Sequence, residues 1–194
     1  MENLDRADVE ALGAGDERLL IERARWDSEA FARLYERYVD AVFRYLRTYA
    51  ESEDDAADLT QHVFLRVLEA LPRYQERGLP FRAWLFRIAR NAATDTFRRR
   101  RRTLPWDHIP ESLHPFSPGG DPETISLHRE ALNQLRVVVG QLPSEKQELL
   151  ALRFAAGLSS AEIALVVGRS PAAVQKELVR IMHTVKEQVR DASI

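Results

Sequence analysis

The strongest constraint on the fold is a break in the pattern. Between Thr103 and Glu123 the chain carries Pro105, Pro110, Pro115, Pro118 and Pro122 with the pair Gly119 and Gly120. A segment that fixes φ and loses backbone donors this often cannot continue a helix. On both sides of it, apolar residues recur at three- and four-residue spacing. No stretch of any length alternates apolar with polar residues as a half-buried strand does. The chain therefore reads as all-α, with two small helical domains joined by a flexible linker. The expected organisation is a loose N-terminus over 1–15, a first domain over 16–102, the linker over 103–123 and a second domain over 124–194. With 194 residues in total, each domain has enough chain for a modest core.

Composition removes several classes of function. There is no cysteine, which excludes disulfides and thiolate metal sites and points to a reducing cytoplasm. No apolar run approaches the roughly 20 residues that span a bilayer, and the charged N-terminus has no signal-peptide core, so no membrane insertion is expected. His62, His108, His114, His128 and His183 show no HExxH-type spacing, and neither a phosphate-cradling glycine loop nor a Ser or Cys nucleophile motif is present. The reading is a protein without catalysis, metal or cofactor. A formal net charge of -2 argues against an autonomous DNA binder, which usually carries a basic footprint.

Charge is nevertheless concentrated locally. Arg82, Arg87, Arg90 and the run Arg98 to Arg102 are opposed only by Asp95. In a helix beginning near Pro80, with Phe81, Trp84, Leu85, Ile88 and Ala92 inward, Arg87, Asn91, Thr94 and Arg98 fall along one polar side. With Arg99, Arg100 and Arg101 they form a candidate phosphate and base-edge contact. A solvated helix end is the plainer alternative, but consecutive arginines repel one another more than that role requires. Phe81 and Trp84 have the spacing of core residues first and of base-stacking residues second. The preceding helix, from a Ser52 cap to Leu71, where Pro72 stops it, turns Asp55, Asp58, Gln61, His62, Leu65 and Glu69 away from Ala56, Val63, Val67 and Leu71. That face is either solvated or docks a protein. Before it, Asp16 is placed to cap a short helix, and Phe31, Leu34, Tyr35, Tyr38, Val42, Leu46 and Tyr49 form a stripe that must pack.

The second domain carries a helix-turn-helix signature. Ser144 with Gln147, and Ser159 with Glu162, have capping-box spacing. In AEIALVVGRSPAAVQKELVRI, Gly168 can close one helix in the left-handed conformation, Ser170 can cap the next, and Pro171 suits its first turn. Ile163, Val167, Val174, Leu178 and Ile181 bury these helices, with Ala164 allowing close approach. The second helix of such a pair enters the major groove. That makes Ser170, Ala172, Ala173, Gln175, Lys176 and Arg180 the candidate readers, with Gln175 suited to an adenine edge and Lys176 and Arg180 to guanine or phosphate. Glu177 sets a negative charge among them.

Taken in order, these segments resemble the extracytoplasmic-function (ECF) group of the sigma-70 family from about Asp16 to Arg190. EAFARLYERYVDAVFRYL is similar to the opening of sigma region 2, DAADLTQHVFLRVLEAL to its polymerase-binding helix, and FRAWLFRIARNAATDTFRRRRR to its promoter-melting and minus-10 element. LPSEKQELLALRFAAGLSSAEIALVVGRSPAAV resembles region 4. The resemblance implies promoter-specific transcription initiation, with promoter DNA and core RNA polymerase as partners through the beta-prime clamp helices and the beta flap. It implies that the helix with Asp55, Asp58, Gln61, His62 and Leu65 docks on the clamp helices, that the loop Tyr74 to Pro80 and the helix with Asn91 capture a flipped minus-10 base, and that the helix from Pro171 reads the minus-35 element. Asp107, Glu111, Asp121 and Glu123 of the linker then mimic nucleic-acid charge, and an anti-sigma factor is a further partner. The chain is expected to be a cytoplasmic monomer when not bound to polymerase. It departs from the family pattern at Ala57 and His62, where acidic residues are usual, and at Gln175 and Glu177.

Overall fold

The structure, a computed structural model, describes residues 16–100 and 122–191, with side chains over 16–95 and 130–191. It is all-α as expected, with no strand among the described residues. Helix α1 covers 16–24, followed by α2 Ser28–Arg47, α3 Glu53–Ala70 and α4 Phe81–Arg100 in the first domain. The second domain has α5 Pro122–Gly140, α6 Ser144–Leu150, α7 Ser160–Val167 and α8 Pro171–Asp191. The loose N-terminus over 1–15, most of the linker and its acidic residues Asp107, Glu111, Asp121 and Glu123 lie outside the described residues or their side chains.

Local chemistry explains the starts and stops. Asp27 accepts from the Glu29 N–H at 2.9 Å to begin α2, and the Ser52 hydroxyl accepts from the Asp55 N–H at 3.0 Å to begin α3. Asp16 is not a cap; it already lies within α1. Pro72 does not end the chain's helical path abruptly. Proline needs no N–H bond in a first turn, so a 3-10 turn, Leu71–Arg73, follows α3 directly.

The α2 stripe buries Leu34, Tyr38, Val42, Leu46 and Tyr49 against Val63, Phe64 and Val67 of α3 and Phe81, Leu85 and Phe86 of α4. Each fully buried Leu or Phe side chain contributes about 1.5–3 kcal/mol relative to exposure. Tyr45 joins this core although the stripe did not include it. It sits three residues after Val42 and seven after Tyr38, hence on the same helix side, and its hydroxyl donates to the Tyr49 hydroxyl at 3.1 Å. Burial pushes both phenol pKa values upward.

In the second domain the Ser144–Gln147 capping box does not form. Pro143 occupies the cap of α6 without a side-chain bond. Gln147 is instead buried, and its amide donates to the carbonyls of Gly140 at 3.1 Å and Leu142 at 2.8 Å. A buried amide finds two orphan carbonyls at the end of α5, which a reach back to its own helix start would leave unmet. Helix α6 then widens into a π-helical segment, Ala151–Ala155. The two domains are in contact: α4 packs on α7 and α2 on the π segment, and their buried side chains form one connected cluster.

Candidate nucleic-acid interface

Helix α4 presents Arg87, Asn91 and Thr94 on an exposed side, as their four- and three-residue spacing requires. The Thr94 hydroxyl donates to the Arg90 carbonyl at 2.8 Å, so its own helix occupies that donor. Arg98, Arg99 and Arg100 continue α4, but their side chains, like all of Arg101, lie outside the described residues. Arg87 and Asn91 line a hollow of about 460 Å³ with Trp84, Ile88 and Arg90, and Val166, Val167 and Gly168 of α7 close its other side. Arg82 and Arg90 are not available as part of a cationic surface. Arg90 is held by Glu148 of α6 at 2.7 and 3.1 Å, which raises its pKa, and Arg82 donates to the Ala156 carbonyl at 2.8 Å.

The aromatic pair takes the core role. Phe81 is buried, and Trp84 is half-buried with its ring 4.7 Å from Tyr74 and 5.5 Å from Phe81. The loop before α4 is tied down from both sides. The Tyr74 hydroxyl donates to the Leu79 carbonyl at 2.9 Å, and Arg25 donates to the Tyr74 carbonyl at 2.8 Å. Burial pushes the Tyr74 phenol up to about 12.

The outward face of α3 shows Asp58, Gln61, His62, Leu65 and Glu69 exposed, while Asp55 is half-buried at the capped end. Leu68, missed in the sequence, belongs with them: Leu65 is 59% and Leu68 48% exposed, so two leucines one turn apart make an apolar strip among polar groups. The signal was present as the i, i+3 pair.

The helix-turn-helix forms as its residues dictate. Ser159 and Glu162 make a complete capping box, Gly168 closes α7 at φ 72 and ψ 36, and the Ser170 hydroxyl accepts from the Ala173 N–H at 3.2 Å. Ser170, Ala172, Gln175, Lys176 and Arg180 are exposed and Ala173 is half-buried. Val166, not Val167, is the fully buried valine of α7, and both line the hollow beside α4. Glu177 lies 3.7 Å from Lys146 of α6 and 3.9 Å from Arg180. Its carboxylate therefore braces α8 on α6, which accounts for a negative charge in this helix.

Comparison with known proteins matches this arrangement. The Sigma-70 region 2 family model matches residues 34–103, and the Sigma-70, region 4 model matches residues 132–184. The chain is 35% identical over 173 residues to the ECF RNA polymerase sigma factor BldN of Streptomyces coelicolor, covering 89% of this chain and 65% of that protein. It is 31% identical over 177 residues to the ECF RNA polymerase sigma factor SigD of Mycobacterium tuberculosis, covering 88% of this chain and 82% of that one. Among solved structures, CnrH in complex with the cytosolic domain of CnrY superposes with a TM-score of 0.66 at 26% identity, over 91% of this chain and 98% of CnrH. The order of the elements, the two matched regions and these relatives agree: the chain belongs to the ECF group of sigma-70-family RNA polymerase sigma factors.

Proposed function

We propose that this chain binds core RNA polymerase through α3 and directs it to promoters through two DNA contacts, without catalysing a reaction itself. The α4 side with Arg87, Asn91, Thr94 and Arg98 to Arg101 meets the minus-10 element, and Ser170, Ala172, Ala173, Gln175, Lys176 and Arg180 meet the minus-35 element. The outward face of α3 carries the reading. One side of this helix is fully buried in the domain, while the other exposes Asp58, Gln61, His62, Leu65 and Leu68 together. A charged and apolar strip on a rigid helix suits the beta-prime clamp helices. The beta flap is the expected contact of region 4, and the cytoplasm the expected setting. The solved complex of CnrH with the cytosolic domain of CnrY supports a further protein partner, which is an anti-sigma factor in this reading.

Two modest DNA contacts become one strong one when a scaffold holds them at the right separation. A net charge of -2 leaves the chain short of the electrostatic affinity it needs alone. Run-off transcription with core polymerase, with and without the protein, is the direct test: promoter-dependent stimulation is expected, and its absence on every cognate template sinks the proposal. The double variant Leu65→Glu, Leu68→Glu should keep its helix content and lose co-purification with the polymerase. Arg98→Ala with Arg99→Ala should lower initiation more than Lys176→Ala, because cations are densest on α4 and α8 carries Glu177.

A further inference from the structure

The loop before α4 hangs on one side chain, Tyr74. Its N–H closes the 3-10 turn on the Leu71 carbonyl at 3.1 Å, and its backbone then runs extended into Gln75. The ring is buried against Phe81 at 5.6 Å and Trp84 at 4.7 Å, and the hydroxyl reaches the far end of the loop at the Leu79 carbonyl. Between these anchors Gln75, Glu76, Arg77 and Gly78 are exposed, and Gly78 has a φ of 73°. One further anchor comes from far away in sequence. Arg25 Nη2 donates to the Tyr74 carbonyl at 2.8 Å, across 49 residues. Arg25 lies in the turn between α1 and α2, which the Trp26 and Asp27 N–H groups close by donating to the Arg23 carbonyl, both at 3.0 Å.

Stability alone does not account for this arginine. Arg25 is half-buried, and its Nε is buried without a hydrogen-bond partner. Among the described residues it has no ion pair, whereas Arg18, Arg23, Arg33 and Arg37 of the same two helices each have a carboxylate. A cation so placed loses hydration that a single carbonyl replaces only in part, and an apolar side chain of similar length would avoid that loss. What the bond supplies is direction. A charge-assisted donor on the Tyr74 carbonyl fixes the peptide from which the exposed loop departs. Trp84, on which Tyr74 packs, also lines the hollow with Arg87 and Asn91, so the contacts run from Arg25 through Tyr74 to the wall of that hollow.

We propose that Arg25 is a positioning residue for minus-10 recognition: from the α1–α2 turn it fixes Tyr74, and through Tyr74 it holds the loop to Pro80 in the shape that takes the flipped base. What the loop binds rests on the sigma-factor reading; the holding of the loop does not. A loop already in its binding shape loses less affinity to ordering, and when only a fraction of chains presents that shape the apparent affinity falls by that fraction.

The probe is a pool of single-stranded DNA 12-mers of random sequence, sequenced before and after capture by the full chain in complex with core polymerase. The parent should enrich a motif. Arg25→Met keeps the aliphatic stem and removes the donor. It should lower the preference at the captured base about three- to tenfold, as expected when about a tenth to a third of the loops are competent, and leave the other positions and the yield of complex unchanged. Arg25→Lys, which keeps a donor and the charge, should recover most of that preference, and Arg18→Ala, a charge removed from an exposed site on α1, should match the parent. Equal weakening at every position would make Arg25 a phosphate contact, and an unchanged motif would make it a purely structural residue; either result overturns the proposal. If Arg25→Met loses helix content, the shorter, neutral Arg25→Gln decides by the same motif. The chain has no cysteine, so a nitroxide at Glu76→Cys reports the loop by itself. Its mobility should rise in Arg25→Met and stay parental in Arg18→Ala. A parent that enriches no motif would sink the sigma-factor reading of this loop, and the nitroxide would then decide alone: unchanged mobility in Arg25→Met overturns the positioning.

Discussion

At the scale of single residues, backbone conformation and burial make separable predictions. Gly157 and Gly168 both have positive φ, so alanine at either should cost about 1–2 kcal/mol in thermal unfolding. The Gly168 position has no atom within 4 Å of a Cβ, whereas the Gly157 position has the Arg82 guanidinium at 3.2 Å, so Gly157→Ala should cost somewhat more than Gly168→Ala. The buried phenols set an alkaline limit. Tyr74 has a pKa raised from 10.0 to about 12, which means the folded state holds the proton more tightly than the unfolded chain. Its contribution to stability is complete below pH 10 and falls as pH rises through about 12. Melting temperature measured across that range, with phenolate absorbance followed in parallel, should decline where Tyr74→Phe declines less.

At the scale of elements, two serines that look alike in sequence part company. Ser159 and Glu162 exchange both bonds of a capping box, so Ser159→Ala should destabilise the protein by about 1 kcal/mol. Ser144 caps nothing in α6, and Ser144→Ala should stay within about 0.5 kcal/mol. Chemical denaturation of the two variants checks the contrast. The three-residue spacing is the same in both, but Gln147 is drawn into the turn after α5, where its amide meets the Gly140 and Leu142 carbonyls. The same logic governs α4. Its charge is plain from sequence, but a neighbouring carboxylate or carbonyl decides which arginines remain open to a ligand.

At the scale of the whole molecule, the linker sets what the chain can span. Removing about ten residues between α4 and α5 shortens its reach by roughly 35 Å. Helix content should hold, while promoter-dependent transcription should fall by at least about tenfold; run-off assays with core polymerase measure it, and full activity would contradict the two-contact reading. Inter-domain contacts that include arginine–carboxylate and arginine–carbonyl pairs resemble transient interfaces more than a domain core.

Sequence alone determined what rests on short-range rules. Helical periodicity, proline breaks, the Ser52 and Ser159 caps and the left-handed Gly168 act within a few residues, so the all-α class, the helix-turn-helix and the outward faces of α3 and α8 were legible. Tertiary structure decided the partners. Arg82 and Arg90 meet acceptors 74 and 58 residues away, Glu177 turns to Lys146, and the end of α7 walls the hollow beside Arg87 and Asn91. No local pattern encodes these pairings, because a charge is the same letter whether it faces solvent, a phosphate or a carboxylate from the other domain.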